Sequence, residues 1–417
     1  MTKGAVVPDQ VTIVHAGDVH LDSPLRGLER LGDRDLAVRL RRATRLALSN
    51  LVEKTIETDA AALVLAGDIY DGDWKDYATG RYFVEQMALL REAGIPVFLA
   101  AGNHDAQSVI TKSLTLPDNV HVFSTSAPET VRREDIGVAF HGQGFAERAV
   151  LTNLAVNFPE PADDLINVGV LHTSLGGYAD HDPYAPCSLE DLQSKGYEYF
   201  ALGHIHKRQT FDGDRTTVAF SGNLQGRHVK ETGPKGALWV TLRSGSPASL
   251  EFVALDEARW ENLTVDVSEA EDLEDVLDLV KAQLKHARVT ADDRPVVARV
   301  TLVGTTAAAA DLSDRARTET EIDIAAQDLE VALERLKIKV TPPPSRIALS
   351  ETHLDGLRRL AQSQEFSGEA VKEMLTRITS ETDAALRVLG LLEDLNPQEA
   401  VGAALDDLLG RLSKGVS

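Results

Sequence analysis

A chain of 417 residues with 43% hydrophobic content can bury a large core and is long enough for two or three domains. Its single cysteine, Cys187, excludes an internal disulfide and fits a reducing cytosol. With no charged n-region before an apolar h-region, and no apolar run near membrane-span length, the chain is expected to be cytoplasmic and away from membranes.

Five short apolar runs read as buried strands: VTIVHA at 11–16, AALVLA at 61–66, PVFLAA at 96–101, INVGVL at 166–171 and YFAL at 199–202. Residues 33–58 read as an amphipathic helix with Leu36, Leu40, Ala43, Ala47 and Leu51 on one face, crossing between the first two strands. Residues 77–93 serve the next pair in the same way. Residues 120–160 look like short strands and turns, and His121 and His141 fall there without motif context, as structural residues. Strands near 217–220, 237–242 and 249–254 are enough to close a second sheet.

From about 255 the texture changes. LTVDV at 263–267 and VVARVTL at 296–302 flank a helix at 268–287, the pattern of a small α+β cap. Thr341-Pro342-Pro343-Pro344-Ser345 can continue neither a helix nor a ladder and marks a linker, after which the chain reads as helical. Three regions are therefore expected: 1–254, 255–341 and a helical C-terminal region at 346–417.

Each of the first five runs ends on a short polar motif. In order these are Gly17-Asp18-Val19-His20, Gly67-Asp68, Gly102-Asn103-His104-Asp105, His172 and Gly203-His204-Ile205-His206. A polar residue just beyond a strand sits at its carboxyl end, where sheet folds collect their ligand sites. Asp18, His20, Asp68, Asn103, His172, His204 and His206 can thus meet along one edge. That inventory suits two divalent cations with Asp68 as the bridging carboxylate. Singly, each piece has a bland reading, a Gly-Asp turn or a hydrogen-bonded core histidine. The ordered set of five does not.

At these residues the chain resembles the calcineurin-like metallophosphoesterases. Within them it is similar to the bacterial DNA repair exonucleases of the SbcD and YhaO types, which pair with SMC-like ATPases. The stretches Tyr184-Ala185-Pro186-Cys187-Ser188 and Gly222-Asn223-Leu224-Gln225-Gly226-Arg227-His228 look more like the YhaO type. The resemblance covers about the first 255 residues and implies a four-layer α/β/β/α sandwich. It also implies that Asp18, His20, Asp68 and His206 hold one ion while Asp68, Asn103, His172 and His204 hold the other. Such mixed imidazole and carboxylate ligands favour Mn, with Fe, Zn or Mg as alternatives. By the same resemblance, His104 serves the leaving oxygen and Asp105 orients its ring, a role compatible with capping a helix.

Several other residues are weaker candidates. Arg227, His228 and Lys230 could contact phosphate, and His181 and Tyr184 could line a groove. Trp74 and Tyr77 could stack on a base, although core packing is the simpler reading. Asp71, Asp73 and Asp76 read as turn and cap residues.

The function expected is Mn-dependent exonuclease and endonuclease cleavage of DNA within a repair complex. A phosphatase or cyclic-nucleotide phosphodiesterase, and a mainly architectural subunit, are the alternatives. The net charge of −22 pulls against nucleic acid. Residues 1–254 carry 33 acids against 24 bases and residues 255–417 carry 32 against 19, so DNA needs a local basic strip or a partner that supplies one. An SMC-like ATPase subunit could be that partner, and a homodimer stays open. Apolar stripes at Val371, Met374, Ile378, Ala385, Leu389 and Leu392, and again at Val401, Leu405, Leu408 and Leu412, either pack on each other or dock that partner.

Overall fold

The computed structural model describes residues 9–23, 34–71, 77–107, 114–176 and 184–343. The first half runs β1 (Val11–Ala16), α1 (Arg34–Arg41), α2 (Ala43–Glu57), β2 (Leu63–Leu65), α3 (Tyr77–Glu92), β3 (Val97–Leu99), α4 (Asn103–Gln107) and β4 (Val120–Val122). It continues with β5 (Glu129–Arg133), β6 (Val138–Gln143), β7 (Ile166–His172), α5 (Leu189–Gln193), β8 (Tyr199–Gly203), β9 (Gln209–Asp212), β10 (Thr217–Phe220), β11 (Gly236–Arg243) and β12 (Ser246–Ala254).

These strands form two six-stranded sheets, ordered β12-β11-β1-β2-β3-β4 and β5-β6-β7-β8-β10-β9. Strands β1 to β4 are parallel to one another, as are β6, β7, β8 and β10. Side-chain alternation sorts each strand between two cores. Ile13, Val64, Phe98, Phe140, Val168 and Tyr199 fill the space between the sheets, with the Phe98 and Phe140 rings stacked at 3.9 Å. Val14, Leu63, Leu65, Val97 and Leu99 face outward under α2 and α3. Helix α5 and the segment holding Phe145 and Phe158 cover the outer face of the second sheet. Burial on both faces is why these strands read as unbroken apolar runs. The result is the α/β/β/α sandwich.

Two expectations are corrected. The strands near 237–242 and 249–254 join the first sheet, not the second. β11 pairs antiparallel with the free side of β1, from Val11↔Leu242 to His15↔Leu238. There its Leu238 and Val240 enter the inter-sheet core while Ala237 and Trp239 enter the helix-side core. The expected single helix at 33–58 is broken at Arg42, whose φ of −101° and ψ of 0° separate α1 from α2.

Beyond Ala254 come β13 (Arg259–Asp266), α6 (Leu273–Thr290), β14 (Val296–Thr305), a 3-10 turn at Ala307–Ser313, α7 (Arg315–Asp328) and β15 (Val331–Thr341). These strands make a three-stranded sheet ordered β13-β14-β15. Two compact units divide the chain: one contains Met1–Leu263, Leu284–Arg299 and Ala326–Arg335, the other Thr264–Gln283, Val300–Ala325 and Leu336 onward. The region at 346–417 lies outside the described residues.

Candidate metal centre

The loops leaving β1 and β2 run side by side, joined by Asp18 N–H to Gly67 O at 3.0 Å, His20 N–H to Asp68 O at 3.0 Å and Leu21 N–H to Ile69 O at 2.8 Å. Within them Asp18, His20 and Asp68 adopt left-handed φ values of 49°, 44° and 50°, and His204 after β8 has φ 100°. Each such residue costs about 1–3 kcal/mol, and strain of this kind collects at functional sites. Packing supplies the compensation. A Cβ on Gly67 would lie 2.5 Å from His172 Nδ1, and one on Gly102 would lie 2.3 Å from Asp68 Oδ1. Only glycine lets these loops close on their neighbours.

All seven expected ligands converge. Asp18, His20 and His206 form one group whose ligand atoms lie within 4.8 Å of each other, Asp18, Asp68 and His172 form another, and His104 makes a third with His20 and Asp68. Asn103 Oδ1 stands 2.9 Å from His172 Nε2, and Asp68 Oδ2 stands 3.4 Å from the same nitrogen. The His204 ring packs edge-on to His172 at 5.2 Å, and its backbone N–H points at both Asp18 oxygens at 3.0 Å.

The donor set is suited to a cation. His172 Nδ1 donates to Ala66 O at 2.9 Å, so its Nε2, 2.9 Å from Asn103 Oδ1 and 3.4 Å from Asp68 Oδ2, faces only acceptors and needs a proton or a cation there. His20 Nε2 and His206 Nε2 face each other at 3.1 Å, a gap that a proton on one ring or a cation between them can bridge. Facing lone pairs repel unless a proton or a cation lies between them. The electrostatics agree. Burial alone would lower the His172 pKa, but the Asp68 charge lifts it to about 9, while burial and the Arg227 charge push His20 down to about 3. Burial raises Asp18 against the pull of His206. For Asp68, burial is outweighed by His172 and His20, and its carboxyl sits well below the usual range.

A family model described as calcineurin-like phosphoesterase matches residues 11–208, and one described as the middle domain of metallophosphoesterase YhaO matches 260–341. The chain is 34% identical over 298 residues to the uncharacterized metallophosphoesterase YhaO of Bacillus subtilis (strain 168), covering 71% of this chain and 72% of that one. The chain belongs to the calcineurin-like metallophosphoesterases. Solved structures with similarity include a dimetal phosphatase from Danio rerio (14% identity, 58% of this chain, 99% of that one, TM-score 0.33). Another is the inner-membrane-complex anchor GAP50 of Plasmodium (13% identity, 60% and 85% covered, TM-score 0.36). Members of this family hydrolyse phosphoester bonds with divalent metal ions, and the clusters above provide suitable ligands. No helix among the described residues is long and apolar enough to cross a membrane.

Around the ligands of this metallophosphoesterase stand carboxylates that sequence reasoning misplaced or missed. Asp105 does not orient the His104 ring. Its Oδ1 accepts from Ile69 and Tyr70 N–H, its Oδ2 accepts from Gly102 N–H, and burial together with Asp68 raises its pKa to about 7. It sits in α4 three residues after Gly102, so it ties the helix start to the Asp68 loop. The acid beside His104 is Asp71, with Oδ1 3.4 Å from His104 Nδ1 and 3.6 Å from His20 Nδ1, so Asp71 is more than a turn residue. Glu231, which no motif marked, takes His206 Nδ1–H at 2.7 Å.

The Arg227 side chain is only 14% exposed within this network, 3.2 Å from Glu231 Oε1 and 3.9 Å from Asp71 Oδ1. His228 lies at the rim, its Nε2 3.6 Å from Glu231 Oε1, and Lys230 is exposed. Tyr184 packs edge-on to His204 at 5.6 Å, and Tyr77 is exposed. His121 and His141 are structural, bonded to Glu129 and to Thr130 and Asn167. Asp73, Trp74, Asp76 and His181 lie outside the described residues.

Proposed function

We propose that this metallophosphoesterase is a Mn-dependent DNA nuclease working at a two-metal centre, the nuclease subunit of a repair complex. Asp18, His20 and His206 would hold one ion, Asn103, His172 and His204 the other, and Asp68 lies within reach of both groups. Bound there, two cations supply an activated water and neutralise the phosphate oxygens. His104 presents its ring to the leaving oxygen and carries the proton that oxygen takes up, with Asp71 fixing Nδ1. Arg227, held by Glu231, directs its guanidinium to a non-bridging phosphate oxygen, and His228 stands beside it.

The observation that carries a polyanionic substrate is local charge. Although the whole chain has a net charge of −22, residues 201–254 hold seven bases against four acids. Five of those bases, Lys207, Arg208, Arg227, Lys230 and Lys235, lie on the two loops that flank His206. Burial lowers the Lys235 pKa, Glu231 and Asp256 pull it back up, and Arg208 and Lys207 add a further lowering, so these bases stand near one another with acids beside them. A strip of this kind suits a phosphate backbone better than a single small phosphate. An SMC-like ATPase docked on the C-terminal region would extend it.

The test is to incubate pure protein with end-labelled linear DNA, hairpin DNA, a cyclic nucleotide and bis-p-nitrophenyl phosphate, each with Mn or Mg. Shortening of the DNA with Mn is expected. Hydrolysis of the cyclic nucleotide with intact DNA would replace the nuclease reading by that of a small-molecule phosphodiesterase. For the partner, deletion of residues 346–417 should keep ester hydrolysis and abolish co-purification with the ATPase, and retained co-purification would refute the docking.

A further inference from the structure

Four hydrogen bonds meet on one buried side chain, Glu231. Its Oε1 accepts from His206 Nδ1 at 2.7 Å and from Arg227 NH2 at 3.2 Å, and its Oε2 accepts from Arg227 backbone N–H at 2.7 Å and from Asn223 Nδ2 at 3.0 Å. The loop that carries it is anchored twice to Trp260, whose Nε1 donates to Gly226 O at 2.9 Å and whose carbonyl accepts from Gly233 N–H at 3.2 Å.

One contact competes with this arrangement. Arg227 NH2 also lies 3.2 Å from His206 Nδ1. A guanidinium only donates, so a hydrogen bond from Arg227 would require Nδ1 to be the lone-pair nitrogen and would put the ring proton on Nε2. Nε2 is the atom that faces His20 Nε2 at 3.1 Å and Asp18 Oδ1 at 4.0 Å, inside the ligand group. A protonated Nε2 cannot bind a cation. A carboxylate at the shorter distance settles the contest the other way, because it only accepts.

We propose that Glu231 is a positioning residue that fixes the His206 tautomer against Arg227, keeping Nδ1 protonated and the Nε2 lone pair turned into the ligand group. This rests on the reading of His206 as a metal ligand. The same carboxylate takes the Arg227 guanidinium off the imidazole, so one residue sets both a ligand and a phosphate-binding cation.

The experiment uses the full chain. In metal-free protein at mildly alkaline pH with 15N-labelled histidine, two-bond correlation spectra report which His206 nitrogen is protonated, with assignment by loss of its signals in His206→Asn. The wild type should show Nδ1 protonated and Nε2 unprotonated, and Glu231→Gln should reverse them. In Mn titrations, Glu231→Gln should weaken one of two sites by about 10–100-fold and leave the other unchanged, as expected on losing the carboxylate partner of a ligating imidazole. Adding Arg227→Met, which removes the competing donor, should recover most of that loss, whereas a merely structural Glu231 would give no recovery.

A wild-type spectrum with the proton on Nε2 overturns the proposal without recourse to any variant. So does an unchanged Mn affinity in Glu231→Gln, or a double variant no tighter than the single one. A wild type that binds no Mn while showing the expected tautomer would refute the metal reading and leave the role of Glu231 as tautomer setter standing.

Discussion

Gly102→Ala tests how closely the loops must approach to hold Asp68. A Cβ there would lie 2.3 Å from Asp68 Oδ1, 2.7 Å from Asp68 N and 3.0 Å from Asp68 Cγ. To reach even 3.0 Å from the oxygen, the gap must open by 0.7 Å (3.0 − 2.3). Both sides resist: Asp68 holds the His104 N–H on that same oxygen at 2.9 Å, and Asp105 ties Gly102 to Ile69 and Tyr70. Overpacking of this kind costs about 1–3 kcal/mol, or roughly 2–12 °C in Tm for a domain of this size. A displacement near 1 Å at a reacting group costs on the order of 10²-fold in rate. Gly94→Ala is the control, since Gly94 has φ +75° but nothing within 4 Å of a Cβ. It should lose about 1–2 kcal/mol of stability to the left-handed backbone and nothing in metal binding. Thermal melts paired with Mn titrations separate the two. Wild-type Mn affinity and activity in Gly102→Ala would refute the packing argument.

Two further outcomes follow from side chains at and behind the site. His104→Ala should keep both ions and lose about 10²–10⁴-fold in rate on DNA, with a smaller loss on a p-nitrophenyl ester whose leaving group needs little protonation. Equal losses on both substrates would assign His104 to binding. His15, fully buried with Nδ1 2.7 Å from Tyr199 OH, has its pKa lowered by burial from 6.5 to about 3. The unfolded chain therefore takes up this proton first, so stability falls as pH drops below 6.5 and the loss levels off below about 3. Urea titrations of metal-saturated protein should show about 1.4 kcal/mol per pH unit of acid sensitivity that disappears in His15→Gln. An unchanged slope in that variant would contradict the buried neutral His15.

What was legible in the sequence was what local chemistry determines. Strands β1, β7 and β8 match VTIVHA, INVGVL and YFAL because burial on both faces forces continuous apolar runs, and a candidate ligand stands at the end of each. The assignment of β11 and β12 to a sheet was not legible, since β11 is apolar on both faces and β12 alternates like any edge strand, and neither pattern marks a neighbour. The breaks in the pattern behave similarly. Arg42 interrupts two helices without a proline or glycine, and α7 and β15 went unread because their charged residues dilute the periodicity. Around the site, residues inside motifs were legible and their supports were not. Asp71 looked like one of three turn acids, and Glu231 lies among Gly226, Thr232 and Gly233 with no spacing to mark it. Asp105 sat inside a motif, yet its oxygens serve the backbone of a neighbouring loop, a choice set by tertiary contact alone.

The central claim is that Asp68 joins two ligand groups into one dinuclear centre. Emission spectrometry of metal content after reconstitution with Mn and desalting tests it most directly, comparing the wild type with Asp68→Ala. The account predicts two equivalents of metal per chain in the wild type and a loss from both sites in the variant, with hydrolysis of every phosphodiester abolished. Two equivalents retained in Asp68→Ala would contradict it.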